Sequence, residues 1–288
     1  MNFFQALFMG LVQGLTEFLP ISSSAHIRIL GALTGMQDPG AAFTAIIQLG
    51  TETAVLLYFR HDIVRILGGW FRCLFGKEGK DRASRFGAHN KDARMGWFII
   101  IGTVPILIAG LLFQKVIETD LWITVAVLII FGILLWWFDE RSKQVHSMED
   151  LTWRDSLFIG LGQMMALIPG VSRSGGTITV GRALGYTREA SARMSFFMAI
   201  PAVFGSGILE AVKSVKDVGS MPSFPGWGAT IVAALVSFIV GYVVIIAFLK
   251  IVSTFSYKGF AIYRVVVAVL VAILLLTGVL SPLAGSAA

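Results

Sequence analysis

The chain has 288 residues, 56% of them hydrophobic and only 14% charged, with a mean hydropathy of +0.80. This composition excludes a soluble globular domain of such a size and indicates a protein that crosses the membrane several times. The net charge of +6 does not call for nucleic acid as a partner, because Lys and Arg gather between apolar segments, where they set orientation in the membrane.

The first 27 residues hold neither Lys nor Arg, so they lack the charged start of a signal peptide, and the N-terminus is expected to belong to the mature fold. Residues 3–35 then show an apolar arm, a Pro/Ser-rich break and a shorter arm rich in Gly. A span is predicted at about 41–60, a strongly basic segment at 60–94, and further spans at 95–114 and 121–138. Residues 156–187 repeat the arm–break–arm pattern. A less purely apolar span follows at 190–212, then two more at 227–249 and 259–280. Broken segments survive at membrane depth only where protein buries them or where they line a wet cavity. Both are therefore read as re-entrant helix hairpins with their tips in the bilayer. Cys73 is the single cysteine, so no internal disulfide forms.

The two broken segments look like copies. A shift of 150 sets Leu7-Phe8-Met9-Gly10-Leu11 on Leu157-Phe158-Ile159-Gly160-Leu161, and Gln13 on Gln163. Ser22-Ser23-Ser24 then faces Ser172-Arg173-Ser174, and Gly31 and Gly35 face Gly181 and Gly185. Nine Lys and Arg lie in 60–94, against Lys115 alone in 115–120, which makes 60–94 a cytoplasmic loop. The fold expected is an all-α polytopic membrane protein, one integral membrane domain over 1–288. It comprises two inverted-topology repeats, about 3–138 and 156–280, each a re-entrant hairpin plus three transmembrane helices.

Ionisable groups at membrane depth are costly, roughly 2.5–3.5 kcal/mol for a central Asp, Lys or Arg on translocon scales, so they mark candidate sites. Gln13 and Glu17 are four apart and share a helix face. Glu17 is read either as a metal ligand or general base, or as a carboxylate that stabilises the hairpin. Ser22, Ser23 and Ser24 either cap the next arm or donate hydroxyls beside His26, itself a proton carrier or a structural hydrogen-bonder. The segment Pro169-Gly170-Val171-Ser172-Arg173-Ser174-Gly175-Gly176-Thr177 suits an oxyanion: glycines admit close backbone approach, hydroxyls donate, and Arg173 presents a planar fork. No Gly-Lys-Ser/Thr follows, so it is not a Walker loop. The bland reading of Arg173 is an ion pair with Glu17 for folding alone. Arg264 lies near a span end and either functions or snorkels. Glu52 and Glu210 stand in apolar spans without a motif, and no chemistry is assigned to them.

Gly14 to His26 and Pro169 to Thr177 resemble the two signature motifs of the undecaprenyl-diphosphatase family, the bacitracin-resistance type. Ile46-Ile47-Gln48-Leu49-Gly50 and Ala261-Ile262-Tyr263-Arg264 look familial too, and the resemblance covers essentially the whole chain. It implies hydrolysis of undecaprenyl diphosphate to the monophosphate carrier lipid and phosphate, for cell-wall synthesis, at the outer face of the bacterial plasma (inner) membrane. It also implies a divalent cation, Mg²⁺ or Ca²⁺. Many members have Glu where this chain has Gln13, and a neutral amide cannot supply a second carboxylate to the metal.

On this reading Arg173, Ser172, Ser174 and Thr177 hold the terminal phosphate, with Ser22, Ser24, Gly170 and Arg264 completing the substrate contacts. Glu17, assisted by Gln13, holds the cation. Ser23 is the preferred nucleophile with His26 or Glu17 as its base, and a directly activated water is the alternative. The partners expected are the polyprenyl diphosphate, membrane lipids and, as a candidate, a second copy of the chain. The main rival is a transporter or flippase for an anionic lipid or other anion. A different membrane phosphatase superfamily pairs Ser-Arg with a His six residues on; here that position is Thr179, which excludes it. An intramembrane Ser-His protease leaves Arg173 and Glu17 without a role.

Overall fold

The computed structural model describes residues 1–35, 40–113, 120–217 and 224–284. Lys115, on which half of the charge contrast rests, lies outside them. The described residues form helices α1 (Phe3–Thr16), α2 (Ser23–Thr34), α3 (Gly40–Tyr58), α4 (Arg60–Leu74), α5 (Arg82–Arg85), α6 (Lys91–Phe113), α7 (Leu121–Arg141), α8 (Trp153–Met164), α9 (Arg173–Ala183), α10 (Arg188–Asp217), α11 (Trp227–Thr254) and α12 (Lys258–Leu276).

Five helices, α6, α7, α10, α11 and α12, are long and apolar enough to cross a bilayer. The protein is an all-α, multi-pass membrane protein. The span expected at 41–60 is a helix, but its apolar stretch, Phe43–Tyr58, is shorter than the other five. The weakly apolar 190–212 belongs to α10, and its composition has a physical reason. Some 56% of its spanning window is buried inside the protein, against 28–33% in the other four, so fewer of its side chains meet lipid. The basic segment 60–94 is not a plain loop: it contains α4, α5 and the start of α6.

The broken segments are helix–break–helix units. In the first, Asn2 and Gln5 form a capping box that starts α1, and the chain breaks at 17–22 before Ser22 caps α2. In the second, Thr152 caps α8 and Ser172 caps α9. Ser22 and Ser172 both take positive φ, 74° and 72°, and are two of only three non-glycine residues to do so among those described. Each cap oxygen accepts the third backbone N–H of its helix, Ala25 N at 3.4 Å and Gly175 N at 3.1 Å.

Packing exchanges the two halves of the chain. α1 lies against α11 and α8 against α6; α3 lies against α11 and α10 against α6; α3 meets α10 and α7 meets α12. Gly10 and Gly160 make the close approaches, since a Cβ there would strike the carbonyls of Ala233 and Gly102. A buried ion cluster fixes the far end of α9. Asp139 on α7 accepts from Arg182 at 2.7 Å, from Arg188 at 2.9 Å and from the Tyr257 backbone at 2.9 Å. This clamps α7, α9, α10 and the start of α12 together.

Candidate active site

The two breaks meet inside the bundle, and Glu17 is where they touch. Its Oε1 accepts from Arg173 Nη2 at 2.8 Å; its Oε2 accepts from Ser23 Oγ at 2.6 Å and from Gln13 Nε2 at 2.7 Å. Ser23 and Arg173 are the first residues of α2 and α9, so both helix N-termini converge on this carboxylate. The first N–H groups of a helix lack intrahelical acceptors, and the macrodipole adds positive potential there. Two such ends beside one guanidinium make an arrangement that favours an anion.

Arg173 has a second carboxylate, one to which the sequence assigns no chemistry. Nη2 also donates to Glu52 Oε1 at 2.7 Å, and Glu52 on α3 is fully buried. No motif contains Glu52; its signals are a lone carboxylate within an apolar span and the familial-looking segment Ile46 to Gly50 just before it. Two carboxylates share the one guanidinium of Arg173 in a desolvated place, while the other cation at the breaks, Arg264, bonds only carbonyls. Three atoms of this group have no hydrogen-bond partner within the protein: Gln13 Oε1, Glu52 Oε2 and Arg173 Nη1. The first two are hard oxygen ligands and the third is a donor suited to phosphate. Among the described residues no three His, Cys, Asp or Glu side chains converge as a ready-made metal cage. A cation held by one or two carboxylates and completed by substrate oxygens is the Mg²⁺ pattern, and this donor set fits it.

The remaining expected residues are brought to the breaks, but most have their polar atoms engaged there. Ser174 Oγ donates to Leu19 O at 2.9 Å and so ties one break to the other. Thr177 Oγ1 lies within bonding distance of Arg173 O (2.9 Å), Ser174 O (3.1 Å) and Ser195 Oγ (2.7 Å), fully buried. Ser22 pairs with Ser24 at 3.2 Å and Ser172 with Ser174 at 3.1 Å. His26 makes no hydrogen bond to Ser23. Its Nδ1 lies 2.7 Å from the Ser22 carbonyl, which can only accept, so Nδ1 carries the proton there. Nε2 lies 2.8 Å from the Tyr263 hydroxyl, and the two rings stack.

Arg264 is buried rather than snorkelling. Nη1 donates to Pro20 O and Val171 O, both at 3.0 Å, Nη2 to Gly170 O at 2.8 Å and Nε to Leu128 O at 3.3 Å. One guanidinium thus holds the carbonyls of both breaks and of α7. Gly170, at φ +100°, brings its carbonyl there, and a Cβ on it would press on Thr124 O at 3.0 Å.

Beside the first break lies an apolar cavity of about 750 Å³, lined by Leu15, Leu19, Ile21, Phe255, Phe260 and Tyr263 among others. Another, of about 610 Å³, lies away from these residues and is lined by paired charges such as Asp62 and Arg193.

A bundle of apolar helices around a Glu–Arg–Ser cluster, where two helix N-termini converge, defines a multi-pass membrane protein with a polar centre. The chain belongs to the bacitracin resistance protein BacA family, whose model matches residues 6–270. It is 72% identical to the Undecaprenyl-diphosphatase of Bifidobacterium adolescentis over 98% of both chains. It is 69% identical to the Undecaprenyl-diphosphatase of Bifidobacterium animalis subsp. lactis, over 99% of this chain and 98% of that one. With Undecaprenyl-diphosphatase 2 of Agrobacterium fabrum the identity is 52%, again over 98% of both.

Proposed function

We propose that the chain hydrolyses undecaprenyl diphosphate to undecaprenyl phosphate and inorganic phosphate, recycling the carrier lipid of bacterial cell-wall synthesis and conferring bacitracin resistance. The observation that carries this reading is the contact of Ser23 and Arg173 with opposite oxygens of Glu17. A hydroxyl, its base and a guanidinium with an unpartnered N–H stand together at two helix N-termini.

Arg173 receives the terminal phosphate through Nη1 while Nη2 stays on the two carboxylates. Ser23 Oγ attacks the terminal phosphorus, and its proton passes to Glu17 Oε2. The bond from phosphorus to the bridging oxygen breaks, and that oxygen leaves with the lipid monophosphate. The leaving oxygen takes the proton from Glu17; water then attacks the phosphoserine, and Glu17 accepts the water proton and returns it to Ser23 Oγ as the bond from phosphorus to Oγ breaks. Phosphoryl transfer demands mainly positioning and charge stabilisation, which the two helix N-termini and Arg173 supply. A divalent cation, Mg²⁺ or Ca²⁺, held by Glu17, Glu52 and Gln13, would neutralise the charge that the diphosphate brings to this site. Ser174, Thr177, His26 and Arg264 act as positioning residues, because their polar atoms are engaged within the protein. The apolar cavity beside Leu19 and Tyr263 suits the isoprenoid tail.

We further propose that the chain is built of two inverted repeats. Supporting this are the 150-residue offset, the paired left-handed Ser caps and the exchange of helix contacts between halves. The basic 60–94 segment then faces the cytoplasm of a bacterial inner membrane, and the site opens to the outer face. Phosphate release from undecaprenyl diphosphate by the purified protein in detergent tests the enzymatic reading. Release that a chelator abolishes supports it; absence of release from folded, cation-supplied protein overturns it in favour of a carrier.

A further inference from the structure

Helix α4 has no place in the site, yet it is amphipathic in an unusual way. One face, Ile66, Gly69 and Cys73, is buried against the protein. The opposite face is also apolar and stands open: Val64 is 71% exposed, Phe75 at the C-cap 73%, and Leu67 and Phe71 about half. Their spacing of three, four and four residues makes one stripe along the helix. On a water-facing helix that stripe would be an aggregation surface.

The contacts of α4 fix its level. It begins two residues after α3 ends, with Phe59 alone between them. Asp62 pairs with Arg193 in the second turn of α10, at 2.8 Å. Arg65 pairs with Asp92 in the first turn of α6, at 2.9 Å. Gly69 lies against Asn90, Asp92 and Ala93, and Trp70 against Gly96. From its first turn to its last, α4 packs chiefly against the opening turns of α6, with further contacts to the end of α3, to Arg193 near the start of α10 and to α5. Those points all lie at the same side of the membrane, so α4 runs along the membrane plane rather than away from it. Trp70 and Trp97 stand edge to face at this level, where aromatic side chains gather in membrane proteins.

The charge pattern supplies the partner. Arg65 and Arg72 flank the stripe, and Lys77, Lys80, Arg82 and Arg85 follow it, all exposed. Residues 60–94 hold nine Lys and Arg against four Asp and Glu. We infer that α4 is an interfacial helix whose stripe from Val64 to Phe75 lies in the acyl boundary of the bilayer, and that its basic surround selects anionic lipid headgroups. Apolar area and attraction to anionic lipid together are what hold such helices at an interface. The inference is independent of the catalytic reading.

The test uses the full chain in vesicles, with Cys73→Ala and a fluorescent label at Phe71→Cys, Val64→Cys or Lys80→Cys. The labels at 64 and 71 are expected to be quenched by acyl-brominated lipid and shielded from iodide, the label at 80 the reverse. Brominated phosphatidylglycerol diluted into phosphatidylcholine should quench the labels at 64 and 71 about twofold more than brominated phosphatidylcholine at the same dilution. Iodide access at 64 and 71 equal to that at 80 would overturn the interfacial placement. Equal quenching by the two headgroups would overturn the anionic selection.

Discussion

Ser23 and Arg173 hold the same register in two helices 150 residues apart, each directly after a serine with positive φ, and both bond Glu17. On the proposed mechanism one position would carry the nucleophile and its counterpart the phosphate-binding cation, with a single carboxylate between them. Gln163 shows a further contrast between the two segments. It stands where Gln13 does, but position 167 is Leu rather than a carboxylate, and its buried amide has no partner within the protein.

Glu52 should matter nearly as much as Glu17. Neutralising Glu52 leaves Arg173 paired with Glu17 alone, and without its second anchor the guanidinium is free to swing. Glu52→Gln should lower phosphate release about 100-fold, with only a small fall in Tm, because the amide keeps the shape and one acceptor. Undiminished turnover in this variant would remove Glu52 from the site.

Gln13→Glu should stay active and bind the cation more tightly, since it adds a carboxylate to the donor set. Without cation it should be less stable than the parent, because Gln13 Nε2 now donates to Glu17 at 2.7 Å and Glu would set two carboxylates in contact. Glu17→Gln should lose most activity. Cation titrations of phosphate release and of Tm check both; weaker cation binding in Gln13→Glu contradicts the assignment.

Ser22 and Ser172 give a stability test free of chemistry. Glycine keeps the left-handed φ but loses the cap, whereas alanine loses both. Ala at either position should be less stable than Gly by about 1 kcal/mol, read from thermal unfolding in detergent. Equal stability would mean that the strain is absent.

Much of this site is legible in the sequence because polar groups at membrane depth are conspicuous: Gln13, Glu17, the serines and Arg173 all stand out there, and the structure gathers them. Glu52 does not, because it sits in an unbroken helix with no motif. The role of Arg264 is hidden because position in a span says nothing of which carbonyls lie opposite. Thr177 looks like an open donor, but a threonine in a helix can turn its hydroxyl back on the preceding turn. α4 is hard to see because a helix with two apolar faces and charges between them mixes polar and apolar residues too evenly to stand out from a loop.

Orientation needs a better probe than the native thiol. Cys73 is buried, and burial together with its hydrogen bond to Glu78 raises its pKa, which suppresses the reactive thiolate. Lys80→Cys in a Cys73→Ala background places a thiol at an exposed position of the same segment. A membrane-impermeant reagent should label it only after lysis. Labelling in intact cells would invert the topology and move the site to the cytoplasmic face.

The most direct measurement is phosphate release from undecaprenyl diphosphate by purified wild-type protein, Ser23→Ala, Arg173→Ala and Arg173→Lys, with Tm recorded for each. Detergent solution holds no gradient, so a carrier would release nothing. The wild type should turn over, and Ser23→Ala should fail while remaining folded. Arg173→Lys should be nearly as inactive as Arg173→Ala, because an ammonium cannot hold two carboxylates and a phosphate through separate fixed N–H groups. Near-wild-type release by Ser23→Ala or by Arg173→Lys would contradict the account.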